Sequence, residues 1–169
     1  MLEYNLSNRL QINKSIGIKA WLFSFIMIMF GSCIKEKTTH YKAYLKNPTN
    51  HRIVIKGYKG GVPVPNEVIE LGGSEEIKYA DGWLRGEEMP MFFADYFKNV
   101  DSVVVTFDNQ YNVTHYTINP ALQSPKSYSP TNPRNILNYK NFVVSYVTDG
   151  LTYKIFTYTF TEADYQFAL

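Results

Sequence analysis

The sequence predicts an all-β fold: an antiparallel β-sandwich, immunoglobulin-like among the forms it allows, with a short C-terminal helical turn. Three observations carry that expectation. Aromatic residues make up 16% of the chain, chiefly Tyr and Phe, which suit pleated, half-buried surfaces. Short apolar runs recur from residue 40 onward, with turn residues between them at spacings of about 8–12 residues. Asp149-Gly150 stands between two runs of strand-forming residues, a strong short-range hairpin signal. A small barrel is the competing architecture.

The elements follow in order. Residues 40–46 mix aromatic, aliphatic and polar side chains at strand length, and Asn47-Pro48-Thr49-Asn50 breaks the run. Residues 52–58 form the next strand, closed by Lys59-Gly60-Gly61. Val62-Pro63-Val64-Pro65 fits only an edge or a link, because proline has no N–H to give to a ladder. Residues 67–71 and 75–79 read as two strands about a tight reversal at Gly72-Gly73. Residues 81–99 interrupt the pattern, with a short helix expected near 91–97.

Asp101 to Phe107 is the strongest strand, and Asp108-Asn109-Gln110 turns it into the alternating run 111–118. Residues 119–133 contain four prolines and read as a loop. The 142–148 and 151–160 runs make the Asp149-Gly150 hairpin. Thr161-Glu162-Ala163-Asp164 resembles a capping box, with Asp in place of the usual Glu or Gln, and predicts one helical turn to the end.

Length and charge narrow the function. The 169 residues suit one folded domain, expected over residues 40–169. The net charge is +2, but Arg9, Lys14 and Lys19 lie before Cys33 against the single acid Glu3. The remainder keeps fourteen of the 17 basic and fourteen of the 15 acidic residues, so it is near neutral. Nucleic-acid binders need clustered, unbalanced Lys and Arg, so that class of partner is set aside. One cysteine permits no internal disulfide.

The first 32 residues have the layout of an export signal. Ala20 to Phe30 is an uncharged apolar run of eleven residues, with Lys19 directly in front and Gly31-Ser32 behind. A basic n-region, a 7–15-residue apolar h-region and a small-residue cut site define such signals. The uncharged stretch to Ile34 is short of the roughly 20 apolar residues needed to span a bilayer. An ordinary secretory signal, a membrane-spanning anchor and a buried core helix are the competing readings.

Phe30-Gly31-Ser32-Cys33 resembles the lipobox of bacterial lipoproteins, a bulky apolar residue followed by two small ones and the cysteine. Phe30 replaces the commoner Leu, and the n-region is long. The resemblance implies cleavage between Ser32 and Cys33, with diacylglycerol on the Cys33 thiol and a further acyl chain on the new amino group. Each buried CH₂ contributes about 0.8 kcal/mol, so two or three chains hold a protein on a membrane without a spanning helix. Residues 33–39 then form a lipidated polar tether. In the Gram-negative version of the family an Asp after the cysteine retains the protein at the inner membrane. Ile34 stands there, which implies the outer membrane. The rest of the chain resembles the small all-β lipoproteins of Gram-negative envelopes, on residues 101–107, 134–138 and 158–165.

No pattern assigns catalysis. His40, His51 and His115 lie at no metal-ligand spacing, and no second Cys exists to share a zinc. There is no GxSxG elbow, P-loop or dinucleotide fingerprint. No cofactor or metal is expected. Asp81, Glu87, Glu88 and Asp95 are candidate carboxylates for glycan hydrolysis, which requires two acids at a defined separation. Gly82-Trp83-Leu84-Arg85-Gly86 is the candidate binding patch, with Trp83 and Arg85 as contacts for a sugar or protein. Packing of Trp83 into the core is the favoured alternative. The function expected is therefore a lipid-anchored, non-catalytic envelope module that binds an unidentified protein or glycan. An envelope hydrolase using the 81–95 carboxylates and a surface adhesin are the alternatives.

Overall fold

The structure is a computed structural model that describes residues 38–86, 97, 100–119, 124–149 and 151–169. The expected signal segment 1–32, the cysteine at 33, residues 91–96 of the expected 91–97 helix and three of the candidate acids (Glu87, Glu88, Asp95) lie outside the described residues.

Among the described residues nine strands make two sheets. They are β1 (Thr38–Asn47), β2 (Ile53–Lys59), β3 (Val62–Leu71), β4 (Glu75–Arg85), β5 (Ser102–Phe107), β6 (Tyr111–Tyr116), β7 (Ser127–Tyr128), β8 (Val143–Asp149) and β9 (Leu151–Thr159). One sheet has the order β4-β1-β9-β8 and the other β3-β2-β5-β6-β7. A short helix, α1 (Glu162–Ala168), ends the chain. The all-β sandwich-like expectation holds. The sheets are mixed rather than purely antiparallel, because β1 runs parallel to β9 and β6 parallel to β7.

The alternation of β1 explains how the layers meet. Tyr41, Ala43, Leu45 and Asn47 are buried, while the residues between them face outward. Phe156 and Tyr158 of β9 add to this inner face, followed by Phe160 just past the strand. Ile53, Ile55, Leu71, Val103, Val105, Phe107 and Val113 supply the opposing layer, and together they form a single core. Phe107 meets Phe160 edge-on, with ring centroids 6.3 Å apart. Each such side chain withdrawn from water contributes roughly 1.5–3 kcal/mol.

Two local expectations fail. Residues 67–71 and 75–79 do not form a hairpin, since β3 lies in one sheet and β4 in the other. The Gly72-Gly73 step carries the chain between layers. Fully buried Asn47 fixes the crossing, donating to the carbonyls of His51 at 2.7 Å and Gly72 at 2.8 Å. A Cβ on Gly73 would stand 3.1 Å from the Asn50 backbone, so the two connections run close together. The second failure is at 81–85, expected as an interruption, where β4 continues to Arg85.

The C-terminal end is locked by a polar network. The Thr161 N–H donates to Asp164 Oδ2 at 2.8 Å, as the capping box requires. Arg134 Nε donates to Asp164 Oδ1 at 2.8 Å, and the Arg134 guanidinium also grips Oδ2. Nearby His115 is buried, accepts the Ile136 N–H at Nδ1 (3.0 Å), and has its pKa pushed down to about 3 by burial. It is therefore neutral and structural. Asn135, also buried, donates to the carbonyls of Tyr116 and Ser129.

His51 fastens α1 to two turns. Its Nδ1 lies 2.6 Å from Asp108, its Nε2 3.5 Å from Glu162, and its ring stacks on Tyr165 at 3.5 Å. The hydrogen bond with Asp108 raises the His51 pKa above 6.5 despite partial desolvation, and the charges of Asp108 and Glu162 act the same way. The same pair holds the Asp108 carboxyl below 3.8. A raised histidine pKa stabilises the fold fully below the unfolded value and loses that effect as pH rises through the folded value. The Asp108 contribution is present above its unfolded pKa and lost in acid. The stability gap between the wild type and His51→Gln, read from urea midpoints, is therefore expected to be largest near about pH 5 and to narrow by pH 9. The titrating part is under about 1 kcal/mol, since water screens the pair. A gap that does not change with pH would refute the ionic role.

Candidate functional site

A bulge decides what the outer face of the four-stranded sheet displays. Along β4, Glu76 and Lys78 stand opposite Lys46 and Tyr44, and the register then slips by one residue at Tyr79. A bulge of this kind re-aims every side chain beyond it. Without the slip, the inward parity of Ile77 and Tyr79 would carry Trp83 into the core. With it, Asp81, Trp83 and Arg85 take the outer face and Leu84 is buried.

Trp83 is 59% exposed, so the expectation of core packing is overturned. The inner position beside it belongs to Gly82, where a Cβ would stand 3.0 Å from the Tyr41 ring. That ring fills the space a larger residue would need. Gly86, with φ of +55°, follows the end of the strand.

Trp83 belongs to a row that crosses the whole sheet. His40 of β1 lies opposite Trp83, Tyr153 of β9 opposite His40, and Val147 of β8 opposite Tyr153. The His40 and Trp83 rings are 4.7 Å apart and inclined at 37°, and Tyr153 meets His40 edge-on at 4.8 Å. Lys42 Nζ sits 4.3 Å above the Tyr153 ring. The result is an aromatic strip with a cationic flank, which suits a flat ligand surface.

Asp81 positions the strip from one side. Its Oδ1 lies 2.6 Å from His40 Nε2 and its Oδ2 2.8 Å from Lys78 Nζ. The Lys78 ammonium, with His40 behind it, holds the Asp81 carboxyl below the usual carboxylate range. Both carboxylate oxygens are engaged, so Asp81 orients the imidazole beneath Trp83. The hydrolase reading needs a second acid at a set distance from Asp81, and its other candidates lie outside the described residues. Among the described residues no three His, Cys, Asp or Glu side chains gather as a metal site.

Comparison with protein-family models, curated proteins and solved structures finds no match.

The structure places both predicted patch residues on one face: Trp83 opposite His40, and Arg85 opposite Thr38 at the strand end. Sequence reasoning did not connect His40 or Tyr153 to the patch. Their signal lay in strand parity, since His40 and Lys42 share the polar phase of β1. A second depression, about 370 Å³, opens on the outer face of the other sheet between Tyr58 and Tyr116. Asp101 on its wall is already engaged, accepting the Gly60 N–H at 2.6 Å and the Ser102 hydroxyl at 2.9 Å.

An exposed indole is directly observable. In the Trp21→Phe chain, where Trp83 is the remaining tryptophan, emission is expected at the red end of the range and acrylamide is expected to quench it readily. Blue-shifted, unquenched emission would return Trp83 to the interior.

Proposed function

We propose that this chain is a lipid-anchored cell-envelope lipoprotein that works as a non-catalytic binding module. Acyl chains on Cys33 hold it at the outer membrane, and the Trp83 strip takes a glycan. The observation that carries the binding role is Trp83 itself, a large aromatic left 59% exposed and backed by His40. A surface indole stacks against the apolar face of a sugar ring, and Asp81, Lys78 and Arg85 border it with hydrogen-bonding groups. The anchoring role rests on Phe30-Gly31-Ser32-Cys33 behind the apolar run 20–30. No step of chemistry is assigned, because the one described acid beside the strip is committed to His40 and Lys78.

Two experiments test the two halves separately. Mass spectrometry of the membrane-extracted protein is expected to find Cys33 as the first residue, carrying acyl chains, and Cys33→Ala is expected to lose both the lipid and the cut. An acyl-free chain, or one that keeps residues before Cys33, would end the lipoprotein reading. For the strip, Trp83→Ala is expected to bind envelope glycan fragments about tenfold more weakly than wild type, equivalent to ~1.4 kcal/mol. Equal binding by the two proteins, or none by wild type, would remove the glycan.

A further inference from the structure

The four sheet edges among the described residues are treated unequally. A strand edge presents unpaired N–H and C=O groups to any passing chain, and proteins blunt such edges with proline, charge, bulges or short length. β3 carries Pro63 and Pro65 and a register slip against β2. β4 carries its own bulge together with Glu75, Glu76, Lys78, Asp81 and Arg85. β7 is two residues long. The fourth edge, β8, has none of these devices from Val143 to Thr148: no proline, no charge, and an unbroken register against β9.

β8 is also bare on both faces. Phe142, just before it, is buried, but every residue from 143 to 148 is exposed. Val143 and Val147, on the outer face, are 70% and 44% exposed; Val144 and Tyr146, on the other, are 41% and 66% exposed. Isolated exposed apolar residues are ordinary, but the uncharged run 143–148 at an open edge is a pairing template.

We propose that β8 is a self-association edge, joining two copies of this chain antiparallel about a twofold axis at Ser145. Symmetry limits the register and the side chains choose among the registers it allows. A twofold axis normal to the sheet keeps each side chain on its own face, so paired residues must share parity. Centring on Ser145 sets Val143 opposite Val147, Val144 opposite Tyr146, and Ser145 opposite its own copy. All of these pairs are aliphatic with aliphatic, aliphatic with aromatic, or hydroxyl with hydroxyl, combinations that favour cross-strand contact. No charge opposes a like charge, and Asp149 falls well away from its counterpart. The two four-stranded sheets become one continuous sheet of eight. This pairing is independent of what Trp83 holds.

The axis gives a sharp test. The full chain in mild detergent is expected to sediment at twice its monomer mass. Ser145→Lys, which sets two ammonium groups face to face on the axis, is expected to halve that mass, and Ser145→Glu alone is expected to do the same. Mixing the Lys and Glu variants is expected to restore the doubled mass, because opposite charges then meet. The Ser145 side chain is exposed, so both variants are expected to keep the wild-type far-UV circular dichroism. A monomeric wild type, a mass unmoved by either variant, or a mixture that stays monomeric would each overturn the proposal.

Discussion

The Asp164 carboxylate is the point on which one end of the sandwich depends. It starts the terminal helix through the Thr161 N–H and holds the Arg134 guanidinium, while Arg134 also donates to the Thr159 carbonyl at 3.0 Å. Helix, final strand and proline-rich loop thus converge on one side chain that is only 4% exposed. The Arg134 side chain is 35% exposed, so removing Asp164 costs less than the about 3–5 kcal/mol typical of a fully buried pair, because water reaches the guanidinium left behind. The neutral His115 and the Asn135 amide complete the same corner with backbone hydrogen bonds. This end is built from polar groups, each given a partner, and the apolar core lies between the sheets.

What the sequence disclosed, and what it concealed, divides along the range of the interactions. The β1, β2, β5, β6, β8 and β9 segments and the capping box are local patterns, and each is where its residues put it. Sheet membership is not local. Gly72-Gly73 looks like a hairpin turn, yet Asn47 and the Asn50 backbone make it a crossing between layers. The parallel pairing of β1 with β9 joins residues more than a hundred positions apart. No turn residue announces it.

The candidate site shows the same division. Trp83 and Arg85 were visible as an unusual aromatic and a cation among glycines. The face that Trp83 occupies was not visible, because one surplus residue at Tyr79 reverses the parity of everything after it. His40 and Tyr153 join the patch through pairings to two different strands, one on each side of β1. The acids expected to cooperate with Asp81 lie outside the described residues. Asp81 itself holds a histidine and a lysine.

The place of β1 in its sheet also governs the order of assembly. It is an interior strand, and one of its two neighbours is β9, which lies more than a hundred positions further along the chain. Until that neighbour exists, the first strand has an open side and much of the inner layer has nothing to close against. Contacts between distant parts of a chain form slowly, since the intervening loop must first be closed at an entropic cost. The inner layer of this sheet therefore closes only when two segments far apart in the chain have met.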